Sequence, residues 1–119
     1  MSAVPDIRGI VGRVIKAYAE GDASVAPLAD DVVHLGPMLP GPLHGAAEVR
    51  QHIADIAPFI ARMELKRLIV EGDSAAAIFE YEGLNGVVVE GAEFFRFRNG
   101  LICEQRVFFD TQPLFRGRS

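Results

Sequence analysis

The chain has a single cysteine, Cys103. One thiol excludes an intrachain disulfide and a multi-cysteine zinc site. Cys103 falls within a strand-like run, where a packed, inert thiol is expected. Histidine is also sparse. His34, His44 and His52 are the only three, no two are spaced i, i+4, and no carboxylate pattern accompanies them as in zinc motifs. We therefore expect neither metal nor cofactor. Ser24 and Ser74 stand at a helix start and a turn, where capping accounts for them. Glycine-rich phosphate loops are missing too. Basic residues are fewer than acidic ones, 12 against 16, and the net charge of −4 argues against nucleic acid and anionic membranes as partners. Arg116 and Arg118 are a small basic exception in the tail, expected to be solvated. No apolar run approaches the roughly 18 residues of a spanning helix. The opening MSAVPDIRG lacks the basic-then-apolar order of a signal peptide, so a cytoplasmic protein is the expectation. There is no repeat, low-complexity tract or linker, and the 119 residues read as one domain, 1–119.

Half the residues are hydrophobic, and their spacing is informative. Ile7, Ile10, Val11, Val14, Ile15 and Tyr18 recur at helical intervals, which predicts an amphipathic helix over 6–20 stopped by Gly21. Asp22 is placed to cap a second, short helix carrying Val25 and Leu28, curtailed by Pro27. Val32 to Leu35 reads as a short strand. The loop from Gly36 to Gly45 holds three prolines and three glycines, yet also Met38, Leu39 and Leu43. Those apolar side chains are expected over a pocket mouth or against a partner chain. A third helix presents Val49, Ile53, Ile56 and Ile60, and bends or ends near Pro58. Three turn signals, Gly72-Asp73, Asn85-Gly86 and Asn99-Gly100, then divide the remainder into four strands. Asn99-Gly100 is the strongest, since both residues tolerate the positive φ of a type I′ hairpin.

Several segments together resemble the nuclear transport factor 2-like superfamily, near its SnoaL-like and ketosteroid isomerase branches. They are Tyr18-Ala-Glu-Gly-Asp22, Leu28-Ala-Asp-Asp-Val-Val33, Leu43-His-Gly45, Phe95 to Ile102 and Arg106-Val-Phe-Phe-Asp110. The resemblance spans residues 7 to 114. It implies an α+β fold: a conical, cystatin-like barrel of curved, mostly antiparallel sheet, covered by three N-terminal helices and enclosing an apolar cavity. Many relatives dimerise through the outer face of the sheet, so a homodimer is implied. The superfamily holds isomerases, epoxide hydrolases, dehydratases, cyclases and proteins without chemistry, so function must be argued from the site. Ketosteroid isomerases carry their carboxylate base at the position of Gly36 and an oxyanion-binding tyrosine at that of Val14, one turn from Tyr18. Their second, protonated acid falls at Glu90 if a two-residue gap is allowed near Asn85. The aspartate of limonene epoxide hydrolases falls at Val107. Asp110 matches a residue common among SnoaL-like proteins, in a structural or a chemical role.

The last strand, on that resemblance, presents Gln105, Val107 and Phe109 inward and Glu104, Arg106 and Phe108 outward. His34 shares the parity of Gly36, where an inward imidazole is a candidate acid or base near neutral pH. Glu90 is either an inward carboxyl, kept protonated by burial, or the first exposed residue after a bulge near Gly91. His44 is expected to position the third helix, and His52, off its apolar stripe, to be exposed. His34 and Glu90 are thus the candidate catalytic residues. Val14, Tyr18, Met38, Phe79, Tyr81, Gln105, Val107 and Phe109 are the candidate ligand contacts. The functional expectation is proton transfer or aldol-type cyclisation on a small apolar carbonyl compound, steroid- or polyketide-like. A non-catalytic binding protein and a dimeric scaffold using the Met38–Leu43 loop are the alternatives.

Overall fold

In the computed structural model, residues 6–37 and 39–112 are described. Helix α1 spans Ile7–Glu20 and buries Ile7, Ile10, Val11, Val14, Ala17 and Tyr18 along one side. The Asp6 carboxylate accepts the Gly9 N–H at 3.0 Å, satisfying one of the orphan donors at the helix start. Gly21 ends the helix in the left-handed region, at φ 72°.

The expected second helix is only a 3₁₀ turn, Ala23–Val25, capped by the Asp22 carboxylate. Pro27 forces the residue before it out of helical geometry, and Ala26 is accordingly extended, at ψ 121°. Leu28, expected on that helix, instead opens strand β1, Leu28–Leu35. Strand β2 is the dipeptide Leu43–His44. Helix α2, Ala46–Ile56, follows, and a 3₁₀ turn at Ala57–Phe59 absorbs Pro58. The backbone N–H of His44 donates to the Glu48 carboxylate at 3.2 Å, so this residue does fix the entry to α2. The described residues therefore contain two α-helices rather than three.

The meander follows the turn signals: β3 is Ile60–Glu71, β4 Ser74–Gly83, β5 Val88–Arg98 and β6 Leu101–Phe109. Asn99 and Gly100 both have positive φ, 53° and 76°. The six strands form one sheet in the order β2-β1-β6-β5-β4-β3, with β1 parallel to β6 and all other pairs antiparallel. The sheet does not close: β2 and β3 are its edges, so the expected barrel is an open, bent sheet. Its bending goes with register shifts in β1–β6, β3–β4 and β5–β6. In the last of these, Arg96 faces Glu104 and Phe97 faces Ile102, leaving Cys103 as the extra residue. The bulge reverses side-chain parity, so that Ile102 and Gln105, three residues apart, both point inward and are fully buried. Helix α1 packs against β3 and α2 against β1. The core between them includes Val11, Val14, Val32, Val49, Ile53, Phe95, Phe97 and Ile102.

Candidate functional site

Beyond that core, the concave face of the sheet and the ends of both helices surround a cavity of about 720 Å³. That volume suits a drug-sized organic ligand. Its walls are mainly apolar: Phe79 and Tyr81 from β4, Val107 and Phe109 from β6, Met63 from β3. The aromatic residues brace one another, with Tyr81 edge-on to Phe109 at a centroid distance of 6.1 Å and stacked on Phe79 at 6.4 Å. Ile56, Phe59 and Leu84 line the same cavity and are exposed, forming an apolar rim.

Against these walls stand the polar side chains Tyr18, His34, His52, Asn85 and Glu93, besides the Tyr81 phenol. Glu93 projects inward because β5 alternates from its hairpin turn: Phe97, Phe95, Glu93 and Val89 are buried, with half-buried Gly91 between. Only 2% of Glu93 is exposed. Burial pushes its carboxyl up to about 7, although an N–H from the Gln105 side chain favours the anion. Burial and the nearby Glu93 charge also push up the Tyr18 phenol, which therefore stays protonated. His34 is 1% exposed. Burial and the neighbouring His52 bring its pKa down to about 4, against an opposing effect of Gln105. The two imidazoles lie 5.2 Å apart between centroids. His52 is lowered as well, mainly by burial, with Asp55 acting the other way. At neutral pH the site thus holds the neutral phenols of Tyr18 and Tyr81, uncharged imidazoles and one carboxyl near its midpoint. Such a set donates and accepts hydrogen bonds with little net charge, which suits a neutral carbonyl or enol.

Six of the expected residues meet at this cavity: Tyr18, His34, Phe79, Tyr81, Val107 and Phe109. Gln105 is fully buried behind the wall, bonded to Glu93. Val14 belongs to the core and does not line the cavity, since its stretch of α1 faces other core side chains. Met38 lies outside the described residues. Glu90 is a correction. It is exposed on the outer face, opposite Glu80 of β4, because strand alternation turns it away when Val89 and Glu93 face inward. His52 is another, being half-buried and part of the cavity lining rather than exposed. Glu93 was the residue missed. Counting back in twos from Phe97, which precedes the Asn99-Gly100 turn by two residues, finds it. Among the described residues no group of three or more His, Cys, Asp or Glu is placed to hold a metal ion.

The fold recurs in known proteins. An NTF2-like protein from Cytophaga hutchinsonii superposes with a TM-score of 0.79 at 21% identity, covering 97% of this chain and 99% of that one. TsrD from Streptomyces laurentii gives 0.79 at 23% identity, with 93% and 92% covered. TerC, whose structure was obtained in co-crystals with polyporic acid, gives 0.78 at 17%, with 92% and 95% covered. These likenesses establish the fold. No curated protein matches the chain. A model of the SnoaL-like domain, however, matches residues 11–105, most of the sequence and every polar residue of the cavity. The chain is accordingly a member of the SnoaL-like domain family, within the nuclear transport factor 2-like superfamily.

Proposed function

We propose that this protein performs isomerase- or cyclase-type acid–base chemistry on a small apolar carbonyl compound, steroid- or polyketide-like. The observation that carries the reading is Glu93: a carboxyl 2% exposed, held near pKa 7, at an apolar cavity beside Tyr18 and His34. A group with that pKa is half protonated under physiological conditions, where general acids and hydrogen-bond donors are most useful. In this scheme the Tyr18 hydroxyl and protonated Glu93 donate to the carbonyl oxygen. His34, neutral, takes the proton from the adjacent carbon and returns it. Glu93 thus fills the role first assigned by sequence to Glu90. Support from the fold is general: TerC was co-crystallised with polyporic acid.

The experiment is a thermal-shift screen of steroids, aromatic polyketides and terpenoid ketones at about pH 6 and pH 8, followed by turnover assays on the hits. A ligand that binds only the folded chain raises its melting temperature. A neutral carbonyl ligand should bind more tightly at pH 6, where Glu93 carries its proton. Glu93→Gln and His34→Ala should each lower kcat by about 10²-fold or more. Turnover unchanged in His34→Ala removes the central claim.

A second reading, passive binding of the same ligands, is favoured by two positions. Gly36 and Val107 both line the cavity but carry no ionisable group. Hits without turnover, insensitive to pH, would select it. We also infer a homodimer through the outer face, where Phe108 is 56% and Ile69 51% exposed, in cross-strand rows with Ala92 and Ile78 and with Ala76 and Phe94. Sedimentation should give a dimer at micromolar concentration and a monomer for Phe108→Glu; a monomeric wild type rejects the interface. The described residues contain no helix long and apolar enough to cross a membrane.

A further inference from the structure

Two buried polar atoms have no hydrogen-bond partner among the described residues: His34 Nδ1 and Gln105 Oε1. Their residues are 1% and 0% exposed, so neither atom can turn to bulk water. They belong to register partners, since His34 of β1 lies opposite Gln105 of β6 in the parallel pair. A buried polar group left unpaired costs about 1–3 kcal/mol, and one bond between these two register partners would satisfy both. In the amide orientation of the structure, Gln105 leaves its acceptor for that bond. Its amide has one acceptor, Oε1, and its Nε2 already donates to Glu93 Oε2. The atom turned toward His34 is then an acceptor, so the histidine must supply the donor.

We propose that Gln105 is a positioning residue that locks His34 in its Nδ1–H tautomer, through a relay from His34 Nδ1–H to Gln105 Oε1 and from Gln105 Nε2–H to Glu93. Hydrogen placement on imidazoles and amide orientation are assigned from the surrounding network, and with the Glu93 carboxylate accepting from Gln105 Nε2 the network selects this arrangement. The influence of Gln105 on the basicity of His34 agrees with this proximity. The consequence lies at the other ring nitrogen. His34 Nε2 faces Gly36, whose Cβ position would be 3.8 Å away, and both residues line the cavity. In the locked tautomer Nε2 carries a free lone pair. It therefore accepts, either from a ligand hydroxyl or enol or from an acidic C–H in the reaction proposed above. A histidine free to tautomerise would present this lone pair only part of the time, and the ligand consequence rests on the pocket reading while the tautomer does not. The relay also gives Glu93 a fixed oxygen to spare, because Oε2 is held by the amide.

The test uses ligand-free protein, so it stands apart from any failure to find a substrate. Long-range proton–nitrogen correlation spectra at about pH 7.5, with His34 assigned by difference against His34→Ala, report which ring nitrogen bears the proton. The wild type should show Nδ1–H with Nε2 bare. Gln105→Met, which keeps the volume and removes the acceptor, should move His34 toward the Nε2–H form that free histidine side chains prefer. Gln105→Glu restores an acceptor and should restore the Nδ1–H signature. A wild-type Nε2–H tautomer overturns the proposal, as does a Met variant with an unchanged spectrum. If Gln105→Met fails to fold, the wild-type and Glu spectra decide between the same two outcomes.

Discussion

Two glycines on the inner face, Gly91 and Gly36, look alike in sequence and differ in what surrounds them. A Cβ on Gly91 would sit 2.7 Å from the Phe108 carbonyl oxygen, 2.8 Å from Phe79 Cζ and 2.9 Å from Phe109 Cβ. Two of these belong to the opposing strand, which cannot step aside without disturbing its ladder. Gly91→Ala should therefore destabilise the fold by about 1–3 kcal/mol, read from urea midpoints. At Gly36 the nearest atoms are 3.6–3.8 Å away, ordinary contact distances. Gly36→Ala should remain within about 0.5 kcal/mol of wild type while narrowing the cavity beside His34 Nε2. Screening hits that bind the wild type should lose affinity in it without loss of folding. Residue identity carried much of the site: His34, Tyr18 and the β4 and β6 aromatics were readable because strand parity and helix periodicity fix their direction. Glu93 was passed over because Glu90 was placed by an alignment gap near Asn85, whereas the parity of β5 is anchored at its other end. His52 was misread for a related reason. Position on a helix stripe says which side faces the core, but not where the core ends and a cavity begins.

Among elements, the β5–β6 hairpin decides the site. Its turn was legible from Asn99-Gly100 alone, and positive φ at both residues is what that dipeptide favours. Its bulge was not legible, since no residue type demanded an extra residue at Cys103. Without the bulge, Ile102 and Gln105 would lie on opposite faces, and the relay behind His34 would lose its middle member. Position, not the thiol, is what counts. Cys103 is partly buried, and its sulfur meets the Arg96 carbonyl at 3.5 Å. Cys103→Ala should change stability by less than about 1 kcal/mol. Deleting Cys103 should turn either Ile102 or Gln105 outward and destabilise by about 2–5 kcal/mol, the range for losing a large buried side chain. Equal midpoints for the two variants would show that the register adjusts elsewhere. The expected second helix fails for the opposite reason: Asp22 is a genuine cap, but Pro27 leaves no length for a helix to follow it.

For the whole molecule, the buried polar groups couple folding to pH with opposite signs. Glu93 keeps its proton up to about pH 7 in the fold, while an ordinary glutamate releases it near 4.5. The folded state therefore binds more protons than the unfolded chain between those values, and stability falls as pH rises through them, by about 3 kcal/mol. His34 behaves in reverse. Unfolded, it is protonated below about 6.5; folded, it remains neutral down to about 4. Its contribution is complete above 6.5 and is lost as pH falls toward 4, again by about 3 kcal/mol. From about pH 4.5 to 6.5 the Glu93 and His34 slopes oppose each other and largely cancel. Glu93→Gln should expose the histidine slope: relative to wild type it should gain about 3 kcal/mol between pH 4 and pH 8, measured by urea unfolding across that range. His52 is lowered in the same direction as His34 and steepens that slope. A Glu93→Gln curve running parallel to the wild type would mean that Glu93 titrates in the fold where it does in the unfolded chain, and so is charged at neutral pH. The donor on which the proposed chemistry depends would then be missing, and the cavity would have to be read as a passive one.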